Sequence, residues 1–219
     1  MKVYVLKSGM LAENTFLITE QGKALVVDPG VAGEKVFTAC ESLCVKPIAV
    51  LLTHGHADHI YGAAFLQRAG LKVYAHQKEF EVIAGRANLA LALGCKVEPF
   101  TPDVAFKGEE STLSLPPFTI RVIFTPGHTQ GGVCYLIKDC LFSGDTLFAG
   151  SYGRTDFPTG DEQDLLCSIA NDLFELPKST LVYAGHSDSF SGPEGIPMLA
   201  SPDTTIENEY YTNPILNLL

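Results

Sequence analysis

The sequence predicts a layered α/β fold, a two-layer sheet core flanked by helices. Two observations carry that prediction. Strand-like apolar runs followed by helix–strand–helix patterning occur in each half of the chain. The side chains able to do chemistry stand directly after those runs, where α/β architectures gather their sites. The composition supplies the core: 46% of the 219 residues are hydrophobic and 18% are charged, which also argues against disorder.

The elements follow in order. Residues 2–6, 15–19 and 24–27 read as strands, separated by the turn pairs Glu13-Asn14 and Gln21-Gly22, and Asp28-Pro29-Gly30 ends this opening meander. Val36, Ala39, Cys40, Leu43 and Cys44 recur at helical spacing. Pro47 introduces a strand over 48–52. A helix is expected over 60–69 with Gly70 as its stop, then a short strand over 72–75 and a short helix over 78–84. The stretch 85–106 is less regular, with a helix expected near 88–93. Strand patterning returns at 111–115, 119–124, 133–137 and 140–143. Asp161 is placed to cap a helix over 162–174, and 181–184 is a further strand. The chain is expected to form a single domain over 1–219, with no linker and no strict repeat.

After the strand at 48–52 comes His54-Gly55-His56-Ala57-Asp58-His59. Three imidazoles and a carboxylate within six residues have little structural reason to stand together, because imidazolium ions forming at mildly acid pH would repel one another. A divalent cation removes that difficulty, since it takes neutral imidazole and carboxylate as ligands. His128 follows the strand at 119–124, Asp145 follows 140–143 and His186 follows 181–184, each next to a glycine that permits close approach. Seven candidate metal donors thus emerge from four strand-end loops. His76 has no acidic or histidine neighbour in sequence and is expected to be structural or to support a metal ligand from behind.

Charge and cysteine usage narrow the class. A formal net charge of -10 leaves no basic patch for nucleic acid or acidic membranes. None of the six cysteines forms a Cys-x-x-Cys pair, so buried free thiols are expected, with Cys40 and Cys44 one turn apart on the apolar face of their helix. No apolar run approaches ~20 residues and residues 1–7 lack a signal-peptide core, so a cytoplasmic protein is expected. Motifs of serine hydrolases, P-loop NTPases and dinucleotide binders are absent.

Asp28, His54-x-His56-x-Asp58-His59, His128, Asp145 and His186, in that order, resemble the five motifs of the metallo-β-lactamase superfamily. Within it the chain is similar to the short, single-domain glyoxalase II (hydroxyacylglutathione hydrolase) group. The residues that carry this likeness are Val27-Asp28-Pro29-Gly30, Thr125-Pro126-Gly127-His128-Thr129, Ser143-Gly144-Asp145-Thr146-Leu147-Phe148 and Gly153-Arg154-Thr155-Asp156-Phe157-Pro158.

The resemblance implies an αββα sandwich with two divalent metal ions at one edge. His54, His56 and His128 would hold one ion, Asp58, His59 and His186 the other, with Asp145 bridging and Asp28 tying the ligand loop in place. Zinc is the expected metal, with iron and manganese as alternatives, since all accept His/Asp donors. The implied activity is hydrolysis of small-molecule thioesters such as S-lactoylglutathione by a metal-bridging hydroxide. Asp58 would also orient the attacking water and relay its proton. Arg154 is a candidate clamp for a substrate carboxylate or, equally, the partner of Asp156 or Asp161, and Tyr152 a candidate wall of the same pocket.

An iron-dependent persulfide dioxygenase, with one ion on His54, His128 and Asp145, is the alternative implied by the same likeness. A phosphodiesterase or nuclease of this fold ranks third. Two departures stand out. The 219 residues leave no room for the helical domain that binds glutathione in two-domain glyoxalase II enzymes. Thr204-Thr205-Ile206, which in the family follows the last histidine at once, comes here only after residues 187–203, read as a loop insertion beside the site.

Overall fold

The structure is a computed structural model and describes residues 1–108, 110–187 and 193–218. The opening meander forms as its alternation predicts: β1 (Lys2–Lys7), β2 (Asn14–Glu20) and β3 (Lys23–Val27) pair antiparallel in sequence order. The pairing then becomes parallel. Helix α1 (Gly33–Ser42) crosses to β4 (Lys46–Leu51), α2 (Ala57–Ile60) and α3 (Ala63–Arg68) lead to β5 (Lys72–His76), and α4 (Glu79–Ala84) precedes the short β6 (Val104–Phe106).

The second half gives β7 (Glu110–Leu115), β8 (Phe118–Phe124), β9 (Val133–Ile137) and β10 (Cys140–Gly144). A small hairpin follows, β11 (Leu147–Phe148) with β12 (Ser151–Tyr152). Next come α5 (Glu162–Cys167), β13 (Leu181–Ala184), β14 (Met198–Leu199), β15 (Thr204–Thr205) and α6 (Ile206–Thr212). The first sheet has the order β14-β1-β2-β3-β4-β5-β6 and the second β15-β13-β10-β9-β8-β7.

Period-two alternation decides which face each side chain takes. Val3, Val5, Phe16, Ile18, Leu25, Val27 and Leu51 of the first sheet meet Ile120, Val122, Tyr135, Phe142 and Tyr183 of the second in one central core. Phe16 and Phe142 pack edge-on at 5.3 Å, and Phe142 stacks on Tyr183 at 5.2 Å. The intervening residues Leu17, Val26, Val50, Leu52 and Val73 face the opposite way and pack under α1 and α3 through Val36, Ala39, Cys40 and Leu66. On the far side, Ile123, Cys134, Leu141 and Val182 pack under α5 and α6 through Leu165, Ile169 and Ile206. The layers are therefore helix, sheet, sheet, helix. Strands covered on both faces explain why their sequences read as near-continuous apolar runs.

Several elements differ from the sequence reading. The helix expected over 60–69 starts at Ala57 and is interrupted at Gly62. There the chain presses against the loop after β3: the Gly62 amide donates to the Pro29 carbonyl at 2.7 Å, and a Cβ would lie 2.4 Å from the Val31 oxygen. The helix capped by Asp161, whose Oδ1 accepts from the Asp164 amide at 2.9 Å, continues as a π-helical stretch over Ser168–Leu173. The helix expected near 88–93 is a single 3-10 turn, Arg86–Asn88, ended by Leu89 in the left-handed conformation.

Cys44 does not share the buried face of Cys40. It follows the end of α1 at φ 52 and is exposed, as is Cys167, while Cys40, Cys134 and Cys140 are buried and all six thiols are free. Of the stretch 187–203, residues 188–192 lie outside the described residues, and Met198–Leu199 pairs with β1 along its outer edge. Among the described residues no helix is long and apolar enough to cross a membrane.

Candidate metal centre

Four strands of the two sheets end at the same edge of the sandwich, and the loops after them converge. β4 delivers His54, His56, Asp58 and His59. β8 delivers His128, β10 delivers Asp145 and β13 delivers His186. Glycines permit the approach: a Cβ on Gly30 would lie 1.9 Å from the Asp58 carbonyl oxygen, and one on Gly127, at φ 133, 2.3 Å from the Leu165 amide. These contacts hold the loops against backbone that cannot yield.

Two clusters result. In one, the Nε2 atoms of His54 and His128 lie 3.1 and 3.0 Å from His56 Nδ1. In the other, His59 Nε2 lies 3.0 Å from His186 Nε2, which is 3.4 Å from Asp58 Oδ2. Asp145 stands between them, with Oδ2 3.6 Å from His128 Nε2 and 3.4 Å from His186 Nε2, and Oδ1 3.4 Å from His59 Nε2. All seven side chains named from the sequence are thus brought together.

The outer nitrogens reveal what the inner ones need. His128 Nδ1 donates to the Arg154 carbonyl at 2.7 Å and His186 Nδ1 to the Leu11 carbonyl at 3.0 Å. His59 Nδ1 donates to Asp28 Oδ2 at 3.1 Å. Thr53 gives its hydroxyl proton to Asp28 Oδ2 at 2.5 Å, so its oxygen accepts from His54 Nδ1 at 3.1 Å. Each of these rings, when neutral, therefore turns a lone pair inward: those of His59 and His186 meet each other, and those of His54 and His128 meet His56 Nδ1, which can carry at most one proton for the two. Asp145 Oδ1 is buried with no hydrogen-bond partner among the described residues. The facing lone pairs of His59 and His186 at 3.0 Å and the buried, unpartnered Asp145 Oδ1 and His56 Nε2 are unfavourable unless cations supply partners. Nitrogens bound tetrahedrally at ~2.0–2.1 Å would stand ~3.3 Å apart, close to what is seen. The donor set fits two metal ions.

Protonation follows the same division. Burial, reinforced by the neighbouring imidazoles, holds His54 well below the ordinary histidine value and His56 down at about 3, and burial also lowers His128. These rings are neutral at pH 7, the form a cation requires. For His59 and His186, burial also opposes the charge, but the Asp145 and Asp58 carboxylates outweigh it and raise both. Without a cation, protons occupy its place in the carboxylate-bearing cluster, and metal binding there releases them.

Asp28 supports the site from below. It adopts φ 48 at the end of β3 and accepts from the Thr53 amide at 2.7 Å as well as from the Thr53 hydroxyl. Tyr135 adds a further tie by donating to the Leu52 carbonyl at 2.6 Å, just before the histidine loop. His76 is buried outside the cluster, stacked on Phe124 at 4.4 Å.

A cavity of about 410 Å³ opens above the clusters. Tyr152 and Arg154 both line it. The Arg154 guanidinium makes a bidentate pair with Asp156, at 2.8 and 2.6 Å, and lies over the Phe157 ring at 4.4 Å.

The sequence reading missed Glu13, Glu79, the hydrogen bonds by which Thr53 links Asp28 to His54, and the apolar cavity wall. Glu13 and Glu79 are fully buried carboxyls beside the ligand loops, and neither has a spacing that would mark it. Glu79 Oε1 accepts from the Gly131 amide at 2.8 Å, and its Oε2 lies where a Gly55 Cβ would come within 2.9 Å. It thereby ties the first histidine loop to the loop carrying His128.

Burial pushes Glu79 from 4.5 up to about 7, against the hydrogen bonds it accepts. A carboxyl raised on folding contributes stability that is complete below its unfolded value and is lost as pH rises through the folded value. Glu79→Gln, which keeps the acceptor and cannot ionise, is therefore expected to gain about 3 kcal/mol relative to the parent between pH 4 and pH 8. Urea titrations of both proteins in a chelator would read this. A difference that does not change with pH would show that Glu79 titrates alike in the folded and unfolded chain.

Residues 8–186 match the family model of the metallo-beta-lactamase superfamily. The hydroxyacylglutathione hydrolase GloC of Haemophilus influenzae is 32% identical over 223 residues, covering 99% of each chain. The crystal structure of the BLEG-1 B3 metallo-beta-lactamase superposes with a TM-score of 0.84 at 33% identity, over 98% of this chain and 99% of that one. That of TTHA1623 in a di-iron-bound form gives 0.79 at 33% identity, over 96% and 98%. Four layers, strand-end donors and sequence agree, and this chain belongs to the metallo-beta-lactamase superfamily.

Proposed function

We propose that this protein hydrolyses thioesters of the S-lactoylglutathione type at a two-metal centre. One observation carries the reading: seven donors from four loops form two clusters that share Asp145 and face a single cavity. The hydroxyacylglutathione hydrolase of Haemophilus influenzae, similar along its whole length, supports the thioester as substrate class.

His54, His56 and His128 would hold one ion, and Asp58, His59 and His186 the other, with Asp145 between them. Bound ions supply a hydroxide nucleophile near pH 7, polarise a carbonyl and accept a thiolate leaving group. The chain's own groups do the rest. The Leu11 and Arg154 carbonyls and Asp28 fix the tautomers of His186, His128 and His59, so that each presents a lone pair. Asp58 lines the cavity and is placed to orient the attacking water and take its proton. Phe148 and Phe157 limit water around the reacting carbonyl. Zinc is the proposed metal. Iron is the alternative, and the di-iron form of TTHA1623 makes it a concrete one.

The test is hydrolysis of S-D-lactoylglutathione by purified protein reconstituted separately with zinc, iron and manganese, followed as loss of thioester absorbance. Turnover that EDTA removes and metal restores is the expected result. Oxygen uptake with glutathione persulfide and no hydrolysis would reassign the protein to the single-iron persulfide dioxygenases. Cleavage of a β-lactam alone would reassign it to the activity named for BLEG-1.

A further inference from the structure

Outside the metal donors, the cavity is walled by Leu11, Leu89, Leu93, Phe148 and Phe157, with Ser151, Tyr152 and Arg154 as its polar members. Leu11 is 63% exposed at the rim although it is large and apolar. Leu11 and Leu89 both hold left-handed backbone, at φ 50 and 63. That conformation costs a non-glycine residue roughly 1 kcal/mol or more, and such strain gathers at ligand sites. The two strained leucines come from separate loops, one after β1 and one after α4. The loop after β1 also supplies the Leu11 carbonyl that orients His186.

Charge on the wall points the same way. Among the described residues, Arg154 is the one lysine or arginine lining the cavity, and Asp156 takes the guanidinium edge that carries Nε and Nη2 and balances its charge. Residues 188–192 contain no lysine or arginine, and the chain carries -10 overall. Glutathione brings two carboxylates and an ammonium. A carboxylate moved into this wall would lose water and gain at most the free edge of Arg154, whose charge Asp156 already balances.

We propose that the cavity selects thioesters whose bulky arm is uncharged and apolar over those of glutathione, with Leu11, Leu89 and Leu93 as specificity-determining residues. This rests on the thioesterase reading above. Shape and desolvation drive the choice: the leucine wall rewards an apolar arm by burial and penalises an ionised one.

The test keeps the acyl group constant. The metal-reconstituted protein is given S-D-lactoylglutathione and the S-D-lactoyl thioester of 2-phenylethanethiol at the same ionic strength. The expected kcat/KM is at least tenfold higher for the second. Leu93→Arg, at a half-buried position, is expected to reduce that ratio at least tenfold by admitting glutathione and rejecting the apolar arm. Hydrolysis of both with equal or better efficiency on the glutathione thioester would overturn the selectivity and leave the thioesterase standing. A loaded protein that hydrolyses neither would overturn the thioesterase, and the selectivity with it.

Discussion

Asp145→Ala is expected to remove at least ~1000-fold of thioester turnover while leaving the chain folded. Among the described residues, its carboxylate is the one group within 3.6 Å of nitrogens in both clusters. If it bridges two ions as proposed, losing it would cost each a ligand. A two-metal site supplies several kcal/mol of transition-state stabilisation, and each 1.36 kcal/mol is tenfold in rate. The fold should survive, because Asp145 lies outside the three apolar clusters and its partners are the other donors. Metal analysis should find fewer than two ions per chain, with unchanged circular dichroism in EDTA. His56→Ala should behave alike, since His56 Nδ1 is the nitrogen on which the three-histidine cluster converges. Full activity in either variant would end the two-metal reading.

Gly185→Ala is expected to damage the centre without replacing a donor. A Cβ there would lie 2.3 Å from Asp145 Oδ1, 2.8 Å from His59 Cε1 and 3.0 Å from the Gly144 carbonyl carbon. The backbone cannot retreat: the Gly185 amide donates to the Gly144 carbonyl, and its carbonyl accepts from the Asn14 amide, both at 2.8 Å. The carboxylate must move instead, by about 1 Å to reach ordinary contact. Displacements of that size cost roughly 100-fold in rate. Stability without metal should fall by no more than about 1–3 kcal/mol, the usual cost of overpacking. Equilibrium dialysis against zinc should show weaker binding. Parental affinity and rate together would show that the glycine is not needed for close approach.

The sequence carried the layered α/β class because burial on both sheet faces leaves long apolar runs, and because strand-end loops must carry the chemistry. The first histidine loop was legible for a local reason: His54, His56, Asp58 and His59 are near in space because they are near in sequence. His128, Asp145 and His186 were recognisable only as strand-end residues beside glycines, and their joining depended on the resemblance. Boundaries were less legible. The break in the helix after the histidine loop is set by the Pro29 carbonyl, 33 positions before Gly62 in the chain. The strand at 204–205 exists because β13 offers it an edge.

By itself the sequence determined the layers, the donor residue types and their arrival at strand ends, all properties of local pattern. Tertiary structure alone decided the rest. It gave Asp145 to both clusters, drew the histidine tautomers from the Leu11 and Arg154 carbonyls, and placed Glu79 under two loops. It also bound Arg154 to Asp156 and left the cavity wall to leucines. Backbone carbonyls carry no sequence signature as acceptors. Ion pairs and cavity walls are choices among partners that only the packed chain brings within reach.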